Sequence, residues 1–193
     1  MPRPPTDTKA KILNVTRTLY SAHGCENTTI DDIITAIGIT KGAFYHYFKS
    51  KENLCKTVIE QVIEDYQNLA QSIDQSAEPI EQLQQMIEKL SQLNASGRWV
   101  NCRLIIRLST DSHQSYPKIQ HKIRDFWNWY SSFYEELIEK CRHAGQISTR
   151  LDSKTQAQIL VAAMTGAIML EKLGQDKQSF AELSTKIIDM LRT

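Results

Sequence analysis

Between Thr40 and Lys51 the sequence sets Lys41, Gly42, Tyr45, His46, Tyr47 and Lys51 around two phenylalanines, Phe44 and Phe48. Phenol and imidazole groups donate to phosphate oxygens or base edges, lysines neutralise phosphate, and a glycine lets a backbone come close. At helical spacing Phe44 and Phe48 lie on one face. If that face turns inward, Lys41, Tyr45 and parts of His46 and Tyr47 are left outside, where they suit a nucleic-acid surface. The same aromatics also suit the core of a small bundle, and the pattern alone leaves both readings open.

A second group of residues could recognise a small molecule. Trp99, Phe126, Trp127, Trp129, Tyr130, Tyr134 and Met164 supply enough ring and thioether surface to line a pocket between helices, or else to fill a core. Arg103 and Arg107, a helical turn apart, either hold an anion or face solvent. Four cysteines, Cys25, Cys55, Cys102 and Cys141, have no paired spacing, so neither a disulfide framework nor a zinc signature is expected. Enzymatic chemistry finds no support: there is no His-Glu-x-x-His, no phosphate-cradling glycine loop and no nucleophile elbow, and the five histidines are dispersed. No metal and no cofactor are expected.

Helices must position these groups, because apolar spacing at i, i+3, i+4 recurs throughout and strand alternation does not. Ile12, Val15, Leu19 and Ala22 mark a first helix that Gly24 ends. Thr29 caps a short second helix, with Asp32 in a capping-box position and Ile30, Ile33, Ile34 and Ile37 on one face; Gly38 stops it. Thr40 caps a third, very short helix. Two short helices about a glycine turn are the geometry that lets a recognition helix enter the major groove. Ser50 caps a long fourth helix running from Lys51 towards Ile73, so no flexible linker separates head from body.

Further helices follow along Ile80 to Leu90, along Trp99 to Leu108, and from Pro117 to Gly145. The eighth is capped by Asp152 or Ser153, and the ninth shows Phe180, Leu183, Ile187 and Leu191 on one face. The eighth is apolar nearly all round from Ile159 to Leu170 and carries Gly166, which predicts a homodimer through the last two helices, or a closed core within one chain.

Composition agrees with a folded, soluble chain: 193 residues, 41% hydrophobic and 23% charged, with net charge +1. Up to Lys51 there are seven Lys/Arg against four acids, a net of +3, which leaves −2 for the rest: a small basic head on a slightly acidic body. Met1 is followed by Pro2-Arg3-Pro4-Pro5 rather than by a charged-then-apolar leader, and the most apolar run falls short of the roughly 20 residues a spanning helix needs. A cytoplasmic protein with no membrane association is expected.

The run Thr28-Thr29-Ile30-Asp31-Asp32-Ile33, followed by Gly38-Ile39-Thr40-Lys41-Gly42-Ala43-Phe44-Tyr45-His46-Tyr47-Phe48-Lys49-Ser50-Lys51-Glu52-Asn53-Leu54, resembles the signature of the TetR family of bacterial transcriptional repressors. The resemblance implies an all-α fold. A three-helix helix-turn-helix DNA-binding head, residues 1–50, would precede a six-helix ligand-sensing and dimerisation body, residues 51–193. It also implies a homodimer that binds a palindromic operator in double-stranded DNA and is released by a small-molecule or electrophilic effector. Carried onto this chain, the DNA-contacting residues are Thr29, Thr40, Lys41, Gly42, Tyr45, His46, Tyr47 and Lys51. Family members often read Tyr-Tyr-His-Phe where this chain has Tyr45-His46-Tyr47-Phe48. The ligand site would draw on Trp99, Cys102, Arg103, Phe126, Trp127, Tyr130, Tyr134, Met164 and Lys172.

Asn101-Cys102-Arg103-Leu104 and Gly166-Ala167-Ile168 through Glu171-Lys172 are in addition similar to segments of the N-ethylmaleimide-responsive repressors within this family. That implies a reactive Cys102 activated by Lys172, against the common fate of a free cysteine as a small buried apolar residue. A helical protein-interaction scaffold without operator binding is the alternative, and it leaves the Lys41 to Lys51 segment unexplained.

Overall fold

The computed structural model describes residues 5–97, 99–111, 117–172 and 179–192. Among these residues it is all-α: α1 (Pro5–His23), α2 (Ile30–Ile37), α3 (Lys41–Tyr47), α4 (Lys51–Gln71), α5 (Pro79–Ala95), α6 (Asn101–Thr110), α7 (Pro117–His143), α8 (Ser153–Lys172) and α9 (Ser179–Arg192). The sequence places the sixth helix two residues early at each end. The chain divides into two compact units that do not follow chain order. One takes Met1–Asp65 with Val100–Arg124, the other Tyr66–Trp99 with Asp125–Thr193, so α4 and α7 contribute residues to both.

In the first unit the apolar faces read from sequence close on one another. Ile12, Leu13 and Tyr20 of α1, Ile33 of α2, Phe44 and Phe48 about α3, and Leu54, Val58, Ile59 and Val62 of α4 are buried. So are Leu104, Ile105 and Leu108 of α6 and Ile119 and Ile123 of α7. The rings of Phe44 and Phe48 have no exposed surface beyond 1%, so truncating either to alanine costs about 3–5 kcal/mol.

Helix α6 packs on α1 and is fastened at both ends. Near its start, the Asn101 amide and the Arg17 guanidinium both donate to Asp65 Oδ2 at 2.8 Å, and Arg17 also donates to Gln61 at 3.2 Å. At its end, Asp111 Oδ2 accepts the Cys25 N–H at 2.8 Å, while Arg107 reaches Asp111 at 3.5 Å and the His23 carbonyl at 3.3 Å. Gly24, at φ +85°, lies so close to Asp111 that an added Cβ would fall 2.6 Å from the carboxylate. Only glycine fits there.

The second unit packs α8 against α9 and α9 against α5. Leu160, Val161, Met164, Ala167 and Ile168 point inward with Phe180, Ile188 and Leu191. Pro79 opens α5 without a side-chain cap from Glu78, and Gln146, just past the α7 terminus, supplies one by accepting the Ile80 N–H at 3.0 Å. Of the two expected caps of α8, Asp152 does the work, accepting the Thr155 N–H at 2.9 Å, while the Ser153 hydroxyl is bonded to Glu139 and Arg142.

Candidate nucleic-acid interface and effector site

Local rules fix the geometry of the α2–α3 segment. Thr29 lies in the extended region and its hydroxyl accepts the Asp32 N–H at 3.1 Å; Asp32 returns the favour, accepting the Thr29 N–H at 2.7 Å. The Thr29 hydroxyl and then its N–H hold the Asp32 carboxyl below the usual carboxylate range. Gly38 ends α2 at φ +73°, a left-handed conformation in which its N–H reaches the Ile34 carbonyl at 2.9 Å. Thr40 then caps α3, its hydroxyl accepting the Ala43 N–H at 3.2 Å, and Ser50 caps α4 through the Asn53 N–H at 3.0 Å.

With Phe44 and Phe48 buried, helical geometry turns the polar groups out. Lys41, Gly42, Tyr45 and His46 are exposed and Tyr47 is half-buried. Tyr45, 45% exposed, is braced edge-on by Phe44 at 5.4 Å, and His46 meets Tyr47 edge-on at 4.9 Å. Lys41 pairs with Asp31 at 3.0 Å where both are exposed, a contact weak enough to yield to a phosphate. Lys51 Nζ donates to the Glu26 carbonyl at 3.0 Å, which holds the ammonium beside the turn between α1 and α2. Thr29, Thr40, Lys41, Gly42, Tyr45, His46, Tyr47 and Lys51 thus share the helix-turn-helix and its flanks, with Thr29 and Thr40 engaged in capping.

The residues expected to line an effector site divide between the units. Trp99, Phe126, Trp127, Tyr130, Tyr134 and Met164 belong to the second. Phe126 stacks on Tyr130 at 5.4 Å and 15°, and Trp127 stands edge-on to Phe126 at 5.2 Å. Tyr130 and Tyr134 share a hydroxyl contact at 3.3 Å, and Met164 is buried. Tyr66, which the sequence reading missed, sits among them, edge-on to Phe126 at 5.1 Å, Tyr130 at 5.5 Å and Trp99 at 5.8 Å. Its position in the α4 apolar stripe gave the only signal. The Trp99 indole N–H is buried with no hydrogen-bond partner among the described residues. Trp129 stacks with Phe133 at 6.0 Å, and the two border a groove of about 520 Å³ with Gln67, Ala70, Gln71 and Gln75.

Cys102 and Arg103 belong to the first unit, on α6; Cys102 is buried and Arg103 exposed. Arg107 reaches Asp111 and the His23 carbonyl from a side chain that is still partly exposed. The side chain of Lys172, assigned to activate Cys102, lies outside the described residues. Among the described residues no helix is long and apolar enough to cross a membrane. No group of three or more His, Cys, Asp or Glu side chains there is placed to hold a metal ion.

Residues 12–58 match the model of the tetR family of bacterial regulatory proteins, and residues 79–187 match the tetracyclin repressor-like C-terminal domain. The chain is 25% identical over 176 residues to the HTH-type transcriptional repressor DhaR of Mycobacterium sp. (strain GP1), covering 90% of this chain and 86% of that protein. Its fold is similar to that of a TetR-family transcriptional regulator from Agrobacterium tumefaciens, with a TM-score of 0.85 at 20% identity over 98% of this chain and 100% of that one. The reduced form of E. coli NemR also shares the fold, with a TM-score of 0.77 at 17% identity over 95% and 97% of the two chains. The matched models span the helix-turn-helix and more than half of the chain, so this protein belongs to the TetR family, DNA-binding transcriptional regulators rather than enzymes.

Proposed function

We propose that the protein is a homodimeric repressor that binds a palindromic operator through paired α2–α3 segments in the cytoplasm and leaves it when an effector binds. One observation carries the DNA-binding surface: Phe44 and Phe48 are buried under α3 while Lys41, Tyr45 and His46 stand exposed on its other side. In this reading Tyr45 and His46 meet base edges or phosphates, Tyr47 completes the surface, and Lys41 and Lys51 neutralise phosphate. Gly42 allows the backbone close, and Thr29 and Thr40 bring the starts of α2 and α3 to the duplex. Repression is the activity ascribed to DhaR by its name, and it is extended here to this chain.

Pairing is supported by the outer face of α8. Ile159, Met169 and Leu170 are exposed along it, and a Cβ added to Gly166 would meet no atom of the described residues within 4 Å. An apolar helix face with room at its glycine suits a second copy of the same helix. Two half-sites must lie about one helical turn, ~34 Å, apart to be met together.

For the effector, the aromatic group of the second unit is the better supported site. Phe126, Trp127, Tyr130, Tyr134, Met164 and Trp99 offer rings, a thioether and one buried indole N–H without a partner among the described residues, and the adjoining groove is framed by three glutamine amides, Ala70 and two rings. That chemistry suits a neutral, largely apolar compound carrying a hydrogen-bond acceptor. Its entry would repack side chains on α4 and α7, the helices that also supply residues to the helix-turn-helix unit. Arg103 on the exposed face of α6 is placed for no such ligand, and an electrophile acting at Cys102 with Lys172 is the second reading. The test is a fluorescence titration of the tryptophans with a panel of neutral aromatic compounds, with operator retention followed in parallel. Release of DNA that Trp99→Phe weakens is expected; release only by thiol-modifying compounds, abolished by Cys102→Ser, overturns the effector assignment.

A further inference from the structure

Lys51 is a charge that the proposed function sets against a phosphate, and the group that holds it lies outside its own helix. One of the three N–H groups of its ammonium goes to the Glu26 carbonyl at 3.0 Å, which leaves two for an anion. Glu26 lies in the turn between α1 and α2, where no helical ladder fixes the backbone. The shape of that turn has to come from its contacts.

Those contacts come from the end of α6. Asp111, which terminates that helix, has a side chain only 10% exposed and accepts the Cys25 N–H at 2.8 Å. Cys25 is fully buried, so this N–H has to be answered by the protein. Gly24 is seated against the same carboxylate: a Cβ there would lie 2.6 Å from Oδ2 and 2.9 Å from Oδ1. Arg107 adds a bond to the His23 carbonyl at 3.3 Å while reaching Asp111 at 3.5 Å. Within the turn the Thr28 hydroxyl donates to the Gly24 carbonyl at 2.8 Å, one residue before the Thr29 cap of α2. Residues 23 to 25 are thus held by α6, and Glu26, next along the chain, holds Lys51.

We propose that Asp111 is a positioning residue for DNA binding: from the end of α6 it sets the α1–α2 turn so that the Glu26 carbonyl presents the Lys51 ammonium to a phosphate. The inference rests on the DNA-binding function proposed above. A lysine on its flexible stem loses rotamer freedom when it settles on a phosphate, and an ammonium already oriented by a carbonyl loses less. Without the Asp111 acceptor the buried Cys25 N–H is left unanswered, the turn relaxes, and the Glu26 carbonyl leaves Lys51. The sign of the effect separates this role from a plain charge effect. Asp111 is an acid, and deleting an acid from a DNA-binding unit tightens binding through the field alone, whereas loss of positioning weakens it. The end of α6 thereby becomes a handle on the DNA surface that acts without touching α3.

The experiment compares the full-length native protein, Asp111→Ala, Lys51→Ala and the double variant. Each is titrated with the duplex that the native protein selects from a random pool, over a range of salt concentrations, with melting temperatures measured alongside. Asp111→Ala should weaken binding about fivefold for each head, the scale of one immobilised side chain, and lower the salt slope by up to about one unit for each head. On the Lys51→Ala background it should weaken binding no further, while it lowers the melting temperature equally on both. Additive losses of affinity, or unchanged or tighter binding by Asp111→Ala, overturn this inference alone. Asp111→Asn keeps an acceptor for the Cys25 N–H and should bind at least as tightly as the native protein; a loss equal to that of Asp111→Ala overturns the inference too. Should Asp111→Ala not fold, Asp111→Glu keeps the charge and displaces the acceptor by one methylene. It should show the same loss with Lys51 present and none with Lys51→Ala, and loss on both backgrounds overturns the role. Lys51→Ala that leaves affinity and slope unchanged removes Lys51 from the DNA surface, and with it both this inference and that part of the function proposed above.

Discussion

Helix α3 and helix α8 both present non-polar surface to solvent, but of different kinds. On α3 the exposed large side chain is Tyr45, a ring with a polar tip, flanked by His46 and Lys41. On α8 the exposed large hydrophobic side chains are Ile159, Met169 and Leu170, joined by Leu183 and Met190 on α9, none of which carries a polar tip. A phenol loses little by facing a hydrated, charged partner and gains hydrogen bonds from it; a thioether or an aliphatic chain gains only by leaving water. In the function proposed above, DNA falls to the first surface and a second copy of the chain to the second.

The largest effect should come from charging the apolar face. Ile159→Glu with Met169→Glu replaces side chains that are exposed within one protomer, so the fold should persist while pairing is lost. Each apolar side chain kept in water forfeits about 1.5–3 kcal/mol of burial. Light scattering at micromolar concentration should report dimers for the native protein and monomers for the variant; dimers in both would remove α8 from the interface.

Charge and hydrogen bonding on the α3 side should give smaller, separable effects. Tyr45→Ala should cost about 1–3 kcal/mol of discrimination between a selected duplex and a random one, the scale of a base-edge contact. Lys51→Ala should weaken both duplexes alike and lower the salt slope by about one unit. Loss of discrimination on Lys51→Ala and not on Tyr45→Ala would reverse the two roles.

The smallest effect concerns the cap that orients α2. Thr29→Ala should lower stability by about 1 kcal/mol, readable as a reduced melting temperature. Because its hydrogen bonds to Thr29 hold the Asp32 carboxyl low, Asp32 contributes stability that is full well above the unfolded carboxyl value of about 3.9 and is lost as the pH falls through the lower folded value. The melting temperatures of native protein and Asp32→Asn should therefore converge on acidification. A constant gap from neutral pH to pH 2 would remove the carboxylate from the cap.

The two surfaces were unequally legible in the sequence. Thr29, Asp32, Gly38, Thr40 and Ser50 act on neighbours within a few positions, so local rules gave the helix-turn-helix and its outward residues. The apolar run of α8 announced a buried helix but not which of its sides faces out. Long-range contacts left no local trace. Asp111 accepts an N–H from a residue 86 positions away, and Arg17 and Asn101 reach Asp65 across 48 and 36 positions. From sequence Arg107 could be assigned only to an anion or to solvent, not to Asp111.

The central claim, that the outer side of α3 holds DNA for a pair of protomers, is tested most directly by selecting duplexes from a random pool with native protein and with Tyr45→Ala, then footprinting the enriched sequence. The native protein should enrich one inverted repeat and protect both halves, with centres about one helical turn, ~34 Å, or a multiple of it apart, while Tyr45→Ala enriches none. Enrichment of the same repeat by both proteins, or protection of a single unrepeated site, would contradict it.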